Sequence, residues 1–427
     1  MTPAPTPLSR HLLQRCVHPH TGVLPACHLL ESHASDWPGV YNAAVPEEPQ
    51  NPWQTISGAV GYDAQTAMTA AIAEALERHA AALVRLPVRT RASLGVSDRV
   101  LDESAFAPYS EAQRQQPGFP WPLPRSTDDL FCSVYDLADN QTVWLPQEWV
   151  GLGPRQGEAR LPSTSSGLAA CSDAAEGPWL GLLRATQEVL ERDALTCTWL
   201  NGLGGRQIPL PESLQAQADQ LGADVAAYDL TQAWNPHPVI AVAGGWPIQG
   251  RQRYAFGIAC RHTRQEALDK AWLEWAQGLT FAAHMQRQHG KAPPPEPHAL
   301  RRFDQHAAFY TLRPELWPRT ALVRHRRLVS VPSERDTPPP LSTVSVLQQL
   351  RVQLAAAGID LYYRELTTPD VAATGIRVMR VLAPQLSGLH ADERAPFLGG
   401  RCRDVAWRYP GEVSHTAFPN PLPHPLG

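Results

Sequence analysis

Apolar residues recur at helical spacing from Ala64 to about Val84, where Met68, Ile72, Leu76, Ala80 and Leu83 share a face. The same reading predicts a long helix that includes Gln187-Glu-Val-Leu-Glu-Arg-Asp-Ala194 and runs to about Leu200, another over about Arg264 to Gln286, and a shorter one from Val346 to Ala357. Short apolar runs bounded by turn residues predict strands. They are Leu130 to Asp136 and Thr142 to Leu145 with Asn140 in the turn between, then Asp224 to Thr231, Val239 to Ala243 and Arg253 to Cys260. Asp360 to Thr367 and Ile376 to Leu382 follow, and they echo Ala226 to Thr231 and Val239 to Ala243 as a faint internal repeat. Helices that alternate and cluster with strands give an α/β or α+β class.

The stretches between carry turn chemistry. Val17 to Gly22 is a turn flanked by apolar residues, and 32–56 lack periodicity and read as loop. Gly58-Ala-Val-Gly61 and Ser163-Thr-Ser-Ser-Gly-Leu-Ala-Ala-Cys171 are small-residue turns, each feeding a helix. Residues 87–127 are loop-rich. Residues 287–340 mark a composition shift, with Ala292 to Pro295, the basic run Arg324 to Arg327, and Thr337 to Pro340. Residues 1–12 are proline-rich and read as a loose terminus.

The polar faces of the three long helices hold the chemistry. Glu188, Glu191 and Arg192 stand three and four apart and so share a face. Glu74, Glu77 and Arg78 repeat that spacing, and Glu274 and Gln277 are again three apart. One such helix alone reads as a solvated surface. Three together read as a nest of oxygen ligands for a metal–triphosphate. Mg²⁺ takes oxygen ligands while keeping its bond to a nucleotide phosphate, and an arginine fork suits the phosphate itself.

On these motifs the chain resembles the YcaO family. The matching pieces are Ser-Ser-Gly-Leu-Ala-Ala before the second long helix, Glu-Val-Leu-Glu-Arg-Asp-Ala within it, Glu-Ala-Leu-Glu-Arg in the first, and Ala-Trp-Leu-Glu-Trp-Ala-Gln in the third. The final Pro421-Leu-Pro-His-Pro425 is similar to the P-x-P-x-P tail of the azoline-forming branch. The resemblance runs from about Leu13 to Gly427 and implies one composite YcaO domain, helices packed on mixed sheets with internal pseudo-symmetry, the 287–340 stretch being an insertion.

It also implies an ATP-dependent cyclodehydratase. A Cys, Ser or Thr of a ribosomal precursor peptide attacks the preceding carbonyl, the amide oxygen takes a phosphoryl group, and loss of phosphate leaves a thiazoline or oxazoline, the chemistry of bacteriocin-type natural products. Carried onto this sequence, the resemblance implies Mg²⁺ ligands at Glu74, Glu77, Glu188, Glu191 and Glu274. ATP contacts fall at Gly58, Gly61, Arg78, Ser166, Arg192 and Gln277. The catalytic tail comprises Pro421, Pro423, His424, Pro425 and Gly427. Composition alone reads that tail as disordered; alternate prolines make it a pre-ordered extended segment. Implied partners are a leader-peptide-binding subunit similar to ubiquitin-activating enzymes and an FMN-dependent dehydrogenase. The other readings are thioamide formation and a non-catalytic scaffold. Ala70 stands where the family often has serine, Val60 where some members have lysine, Cys171-Ser-Asp173 where Gly-Asn-Thr is usual, and Leu180 where a further acid is expected, with Glu176 or Asp173 as its replacement.

Composition narrows the classes. With 427 residues and 43% hydrophobic content, the chain suits one large or two ordinary domains. A net charge of -4 argues against nucleic acid as a partner. The seven cysteines form no C-x-x-C pair, which argues against a zinc cage and for reduced thiols in a cytoplasm. No apolar run reaches the ~18 residues of a membrane span.

Overall fold

The structure is a computed structural model that describes residues 12, 14–34, 36–47, 57–101, 103–121, 127–153, 162, 164–248, 250–289, 296–330 and 341–427. The expected loose terminus lies outside these residues but for Leu12, which is buried. The runs Ala292 to Pro295 and Thr337 to Pro340 lie outside them altogether.

In chain order the principal elements are β1 (His28–Leu29), β2 (Tyr41–Val45), β3 (Ser57–Gly61), α1 (Ala64–Leu83), β4 (Val88–Thr90), β5 (Leu130–Asp136), β6 (Thr142–Pro146), β7 (Leu168–Ser172) and α2 (Gly177–Leu200). There follow β8 (Arg206–Ile208), α3 (Glu212–Leu221), β9 (Asp224–Asp229), β10 (Val239–Ile248), β11 (Arg251–Cys260), α4 (Arg264–His289), α5 (Phe303–Leu312), β12 (Arg327–Leu328), α6 (Thr343–Ala356), β13 (Tyr362–Glu365) and β14 (Ile376–Leu382). By packing, the chain divides into two units: 1–32, 39–189 and 342–386 in the first, 33–38, 190–341 and 387–427 in the second. Helix α2 contributes residues to both.

In the first unit, β1, β2 and β3 form an antiparallel sheet, and a second sheet runs in the order β4-β5-β13-β14-β7 with β6 paired to β5. The hairpin of β5 and β6 turns at Asn140, which adopts φ 60°, a conformation asparagine tolerates better than most residues. Helix α1 starts at Asp63, whose carboxylate accepts the Thr66 amide at 2.8 Å. Its buried face is built on Ala67, Ala71, Ile72, Ala75 and Leu76. Leu83, expected inside, is exposed, because the helix ends there.

Two expected turns are strands. Gly58 to Gly61 lies in β3, paired residue by residue with β2, and β2 itself occupies part of the presumed loop 32–56. Leu168 to Ser172 is β7, an edge strand on β14. Small residues hid both from the periodicity, since Gly and Ala carry almost no alternating signal.

The second unit holds a sheet ordered β11-β10-β9-β8-β12 with α4 packed on β10 and β11. The stretch 287–340 is not simply an inserted loop. It contains α5, a 3₁₀ segment over Pro314–Arg319, and core residues Phe309, Tyr310 and Trp317. Asp193, the aspartate of the Glu-Arg-Asp-Ala motif, is fully buried and accepts from Arg408 Nε at 2.8 Å and Nη2 at 2.7 Å. It also accepts the Ser387 amide at 2.8 Å, so its task is to tie α2 to the C-terminal segment.

Candidate functional site

In each unit two glutamates from two helices grip the amides of one strand. In the first, Glu77 on α1 accepts the Ala170 amide at 3.1 Å, and Glu188 on α2 accepts the Gly167 and Leu168 amides at 2.9 and 3.0 Å. All three amides belong to β7 or its approach. In the second, Glu191 on α2 accepts the Cys260 amide at 3.1 Å, and Glu274 on α4 accepts the Ile258 amide at 3.3 Å; both amides are on β11. A solvated face would make no such contacts, and Glu77 and Glu191 are only 12% and 7% exposed in their side chains.

For three of these glutamates the other oxygen faces a cation. Arg78 Nη1 stands 3.7 Å from Glu77 Oε1, Arg192 Nη1 3.5 Å from Glu191 Oε1, and Lys270 Nζ 3.2 Å from Glu274 Oε1. The E-x-x-E-R spacing is thus accompanied in both helices by an acid and a guanidinium in contact.

Charge in the first unit is poorly balanced. Burial pushes the Glu77 carboxyl up to about 7; Arg78 pulls it down, while Glu188 and Glu74 push it further up. Glu188 and Glu74 both repel the Glu77 carboxylate, a repulsion that a divalent cation would relieve. Arg78 Nη1 is buried and meets no hydrogen-bond acceptor among the described residues. The residues present therefore fit a metal-bound polyphosphate: acids for the cation, and for the anion a guanidinium nitrogen that makes an ion pair with Glu77 at 3.7 Å and no hydrogen bond among the described residues. Among the described residues no three His, Cys, Asp or Glu side chains come together as a group that could hold a metal ion.

The sequence did not single out Arg380. It is fully buried on β14 and donates to Trp149 O through Nε and Nη2 at 3.1 and 2.6 Å, and to Ser166 O through Nη1 at 2.9 Å. Burial brings its pKa down to about 10, against the pull of Glu188. It holds the Ser166–Gly167 corner that offers its amides to Glu188. The available signal was a charged residue inside an apolar strand, at a position that had to face inward.

Other expected residues fall apart from this pattern. Gly58 and Gly61 lie in the β2–β3 hairpin; a Cβ on Gly61 would stand 2.9 Å from the Ala67 amide, so Gly61 permits the close entry into α1. Ser166 takes part through its backbone carbonyl, and Gln277 lies three residues beyond Glu274 on α4, half-buried. Leu180 is exposed on α2. Glu176, a suggested replacement for an acid there, accepts the Thr343 amide at 3.4 Å at the start of α6.

The C-terminal tail belongs to the second unit, and the composition-only reading of disorder is corrected: Pro423 to Leu426 are buried. Trp199 Nε1 donates to Leu422 O at 2.8 Å and Tyr310 to Pro423 O at 2.6 Å. His424 Nε2 donates to His390 O at 2.7 Å, and its ring stacks on His306 at a centroid distance of 3.9 Å. Burial drives the His424 pKa well below the ordinary histidine value, with His306, His390 and Arg192 adding to the effect and the bond to His390 O opposing it. The electrostatic reach of Arg192 to His424 links the tail to the E-x-x-E-R helix. Gly427 is exposed, and a Cβ there would stand 2.6 Å from that of Ala307 on α5.

Comparison with known proteins places this arrangement. A family model described as YcaO cyclodehydratase, ATP- and Mg²⁺-binding, matches residues 58–387. No curated protein matches. Among solved structures, a heterocyclase in complex with substrate and cofactor is similar with a TM-score of 0.71 at 19% identity, over 93% of this chain and 54% of that one. The chain thus spans about half of that heterocyclase. YcaO from Methanopyrus kandleri bound with AMPPCP and Mg²⁺ is similar with a TM-score of 0.60 at 18% identity, over 85% of this chain and 86% of that one. A chain of the E. coli microcin synthetase McbBCD complex gives 0.59 at 14%, over 86% and 90%. At these identities the likeness shows the fold.

Proposed function

The chain belongs to the YcaO family of ATP- and Mg²⁺-binding cyclodehydratases, and on that premise we propose that it forms azolines on a ribosomal precursor peptide. The observation that carries the reading is the paired grip of Glu77 and Glu188 on β7 and of Glu191 and Glu274 on β11. One oxygen of each is fixed by a backbone amide, so the carboxylates are pre-aimed at little entropic cost.

With ATP and Mg²⁺ bound, a phosphoryl group becomes available to the amide oxygen. The chain's own part is to position and neutralise charge. We assign Glu74, Glu77 and Glu188 in the first unit, and Glu191 and Glu274 in the second, to cation binding, and Arg78, Arg192, Ser166, Gln277, Gly58 and Gly61 to the nucleotide side. A Cys, Ser or Thr side chain forms the new bond to the preceding carbonyl carbon. Its proton and the amide proton leave, the oxygen departs as phosphate, and the nitrogen lone pair closes the C=N bond. We assign the tail, from Pro421 through Pro423, His424 and Pro425 to Gly427, to shaping the peptide side. His424 holds its proton on Nε2 against His390 O, and Nδ1 is left as a neutral base with no partner among the described residues.

The similar microcin synthetase structures support the rest of the proposal. The microcin synthetase is a complex, and one such structure has pro-MccB17 bound. A separate leader-binding subunit similar to ubiquitin-activating enzymes, and an FMN-dependent dehydrogenase acting after it, are the proposed partners.

The test is incubation of the chain with ATP, Mg²⁺, the partner subunit and the precursor peptide, followed by mass measurement. Loss of one water per ring, absent in Glu191→Gln, is the expected result. Sulfur incorporation without water loss would replace the reading with thioamide formation. No ATP turnover with every component present would replace it with a scaffold role, which Leu180 in place of an acid makes the next reading.

A further inference from the structure

The end of β11 remote from Glu191 and Glu274 carries a buried charge with no acid beside it among the described residues. Ala255 and Gly257 face α4: a Cβ on Gly257 would stand 2.3 Å from the Trp275 amide nitrogen, and one on Gly278 would stand 2.9 Å from the Cβ of Ala255. Side chains two apart on a strand share a face, so Arg253 lies on that side, beneath the later turns of α4. Arg253 is only 8% exposed. Its Nε and Nη1 are enclosed and meet no hydrogen-bond acceptor among the described residues. Burial lowers its pKa, and the charges acting with it are two further cations, Arg287 and Arg251.

A guanidinium does not shed its charge at neutral pH, and buried charges in folded proteins are paired or hydrogen-bonded. Among the described residues Arg253 meets no anion. At the same end of β11 opens a cleft of about 440 Å³ lined in part by Gln286, Thr311 and Arg251, which is two residues from Arg253 on the same strand face. Gln286 Oε1, in that lining, is buried and meets no donor among the described residues. The Gln286 amide nitrogen reaches Gln252 O only at 3.4 Å. A half-turn of the Gln286 amide exchanges oxygen for nitrogen and presents N–H groups to a ligand.

We propose that this end of β11 is an oxyanion site, where Arg253, with Arg251 and Arg287 beside it, takes a phosphate-class ligand. Three guanidinium charges without an acid among the influences on Arg253 favour a dianion over a single carboxylate, and the planar fork matches phosphate oxygens. The site is separate from the gripped glutamates. Arg253 is five residues before Ile258 and seven before Cys260, roughly 17 and 23 Å along an extended strand.

The experiment uses the whole chain without Mg²⁺ or nucleotide. The probes are inorganic phosphate, phenyl phosphate and glutamate at matched ionic strength, read by thermal midpoint and by calorimetry. Phosphate is expected to bind and raise the midpoint, and glutamate to do neither. Arg253→Met keeps the length without the charge; it is expected to match or exceed the wild-type midpoint in chloride and to weaken phosphate at least about tenfold. Arg253→Lys keeps the charge without the fork, guards against a folding defect, and should also weaken binding. Arg192→Met should leave the response intact. Phenyl phosphate binding as well as phosphate would identify an ester-bearing ligand, and weaker binding would identify free phosphate. An equal midpoint rise in wild type and Arg253→Met, no rise in wild type, or loss of the response in Arg192→Met alone would each overturn the proposal.

Discussion

Glu77 is the residue whose charge state matters most. Its folded pKa of about 7 exceeds the ordinary glutamate value of 4.5, because burial, Glu188 and Glu74 outweigh Arg78 and the Ala170 amide. A raised carboxyl contributes stability that is fully present below about pH 4.5 and is lost as pH rises through about 7. Glu77→Gln keeps an acceptor for Ala170 and removes the titration. Without ligand, the variant should therefore gain on wild type between pH 4.5 and 8, by roughly 3 kcal/mol. Denaturant unfolding at both values checks this, and a constant difference would show that the carboxyl titrates normally. Arg380 presents the opposite case, a buried cation already satisfied by Trp149 O and Ser166 O. Arg380→Met should cost about 3–5 kcal/mol, since it strands two carbonyls and leaves Glu188 without a compensating charge. A loss under about 1 kcal/mol in the same assay would mean that water replaces the guanidinium.

At the scale of elements, β7 and its approach hold the first pair of acids. Gly167 has φ +86°, and a Cβ there would lie 2.2 Å from Val381 O. Gly167→Ala should destabilise the chain by about 2 kcal/mol or more and lower nucleotide affinity as well, because the amide that Glu188 accepts would shift. Lowered stability with unchanged affinity would separate β7 from binding. The tail is the second such element. A short exposed terminus contributes little to folding, but this one is buried and bonded through Leu422, Pro423 and His424. Removing Pro421 to Gly427 should lower the thermal midpoint by several degrees, so truncation alone cannot isolate a catalytic part. His424→Phe keeps the stacked ring on His306 and removes both nitrogens. A midpoint near wild type with lost ring formation would tie the effect to the imidazole; full ring formation would confine the tail to structure.

Across the whole molecule, the long helices and the central strands were legible because their periodicity is strong. The E-x-x-E-R spacing on α1 and α2 was legible because helical geometry converts spacing into a face. What stayed hidden had no local signal. Strands β3 and β7 are built of small residues, α5 lay within a proline-rich composition, and Arg380 acts through residues more than 200 positions away. That the glutamates bind strand amides could not be read from the helices that carry them.

The cation role proposed for Glu77 would couple ligand binding to protons. A cation among Glu74, Glu77 and Glu188 favours the ionised acids, so binding must release the proton that Glu77 holds in the free chain. At pH 6, below its pKa of about 7, Mg²⁺–AMPPCP binding should release close to one proton more from wild type than from Glu77→Gln. At pH 8 the two should release the same number. Wild-type affinity should rise relative to the variant as pH climbs toward 7 and run parallel to it above. Calorimetry in two buffers of different ionisation enthalpy measures the release, and the variant subtracts the titration of the nucleotide itself. At a ligand concentration of 100 Kd the folded state should gain about 2.7 kcal/mol, and that gain should shrink in wild type as pH falls from 8 to 6. Identical proton release in wild type and Glu77→Gln at pH 6 would remove Glu77 from the cation's shell and leave Glu188 and Glu74 to hold the first unit's share.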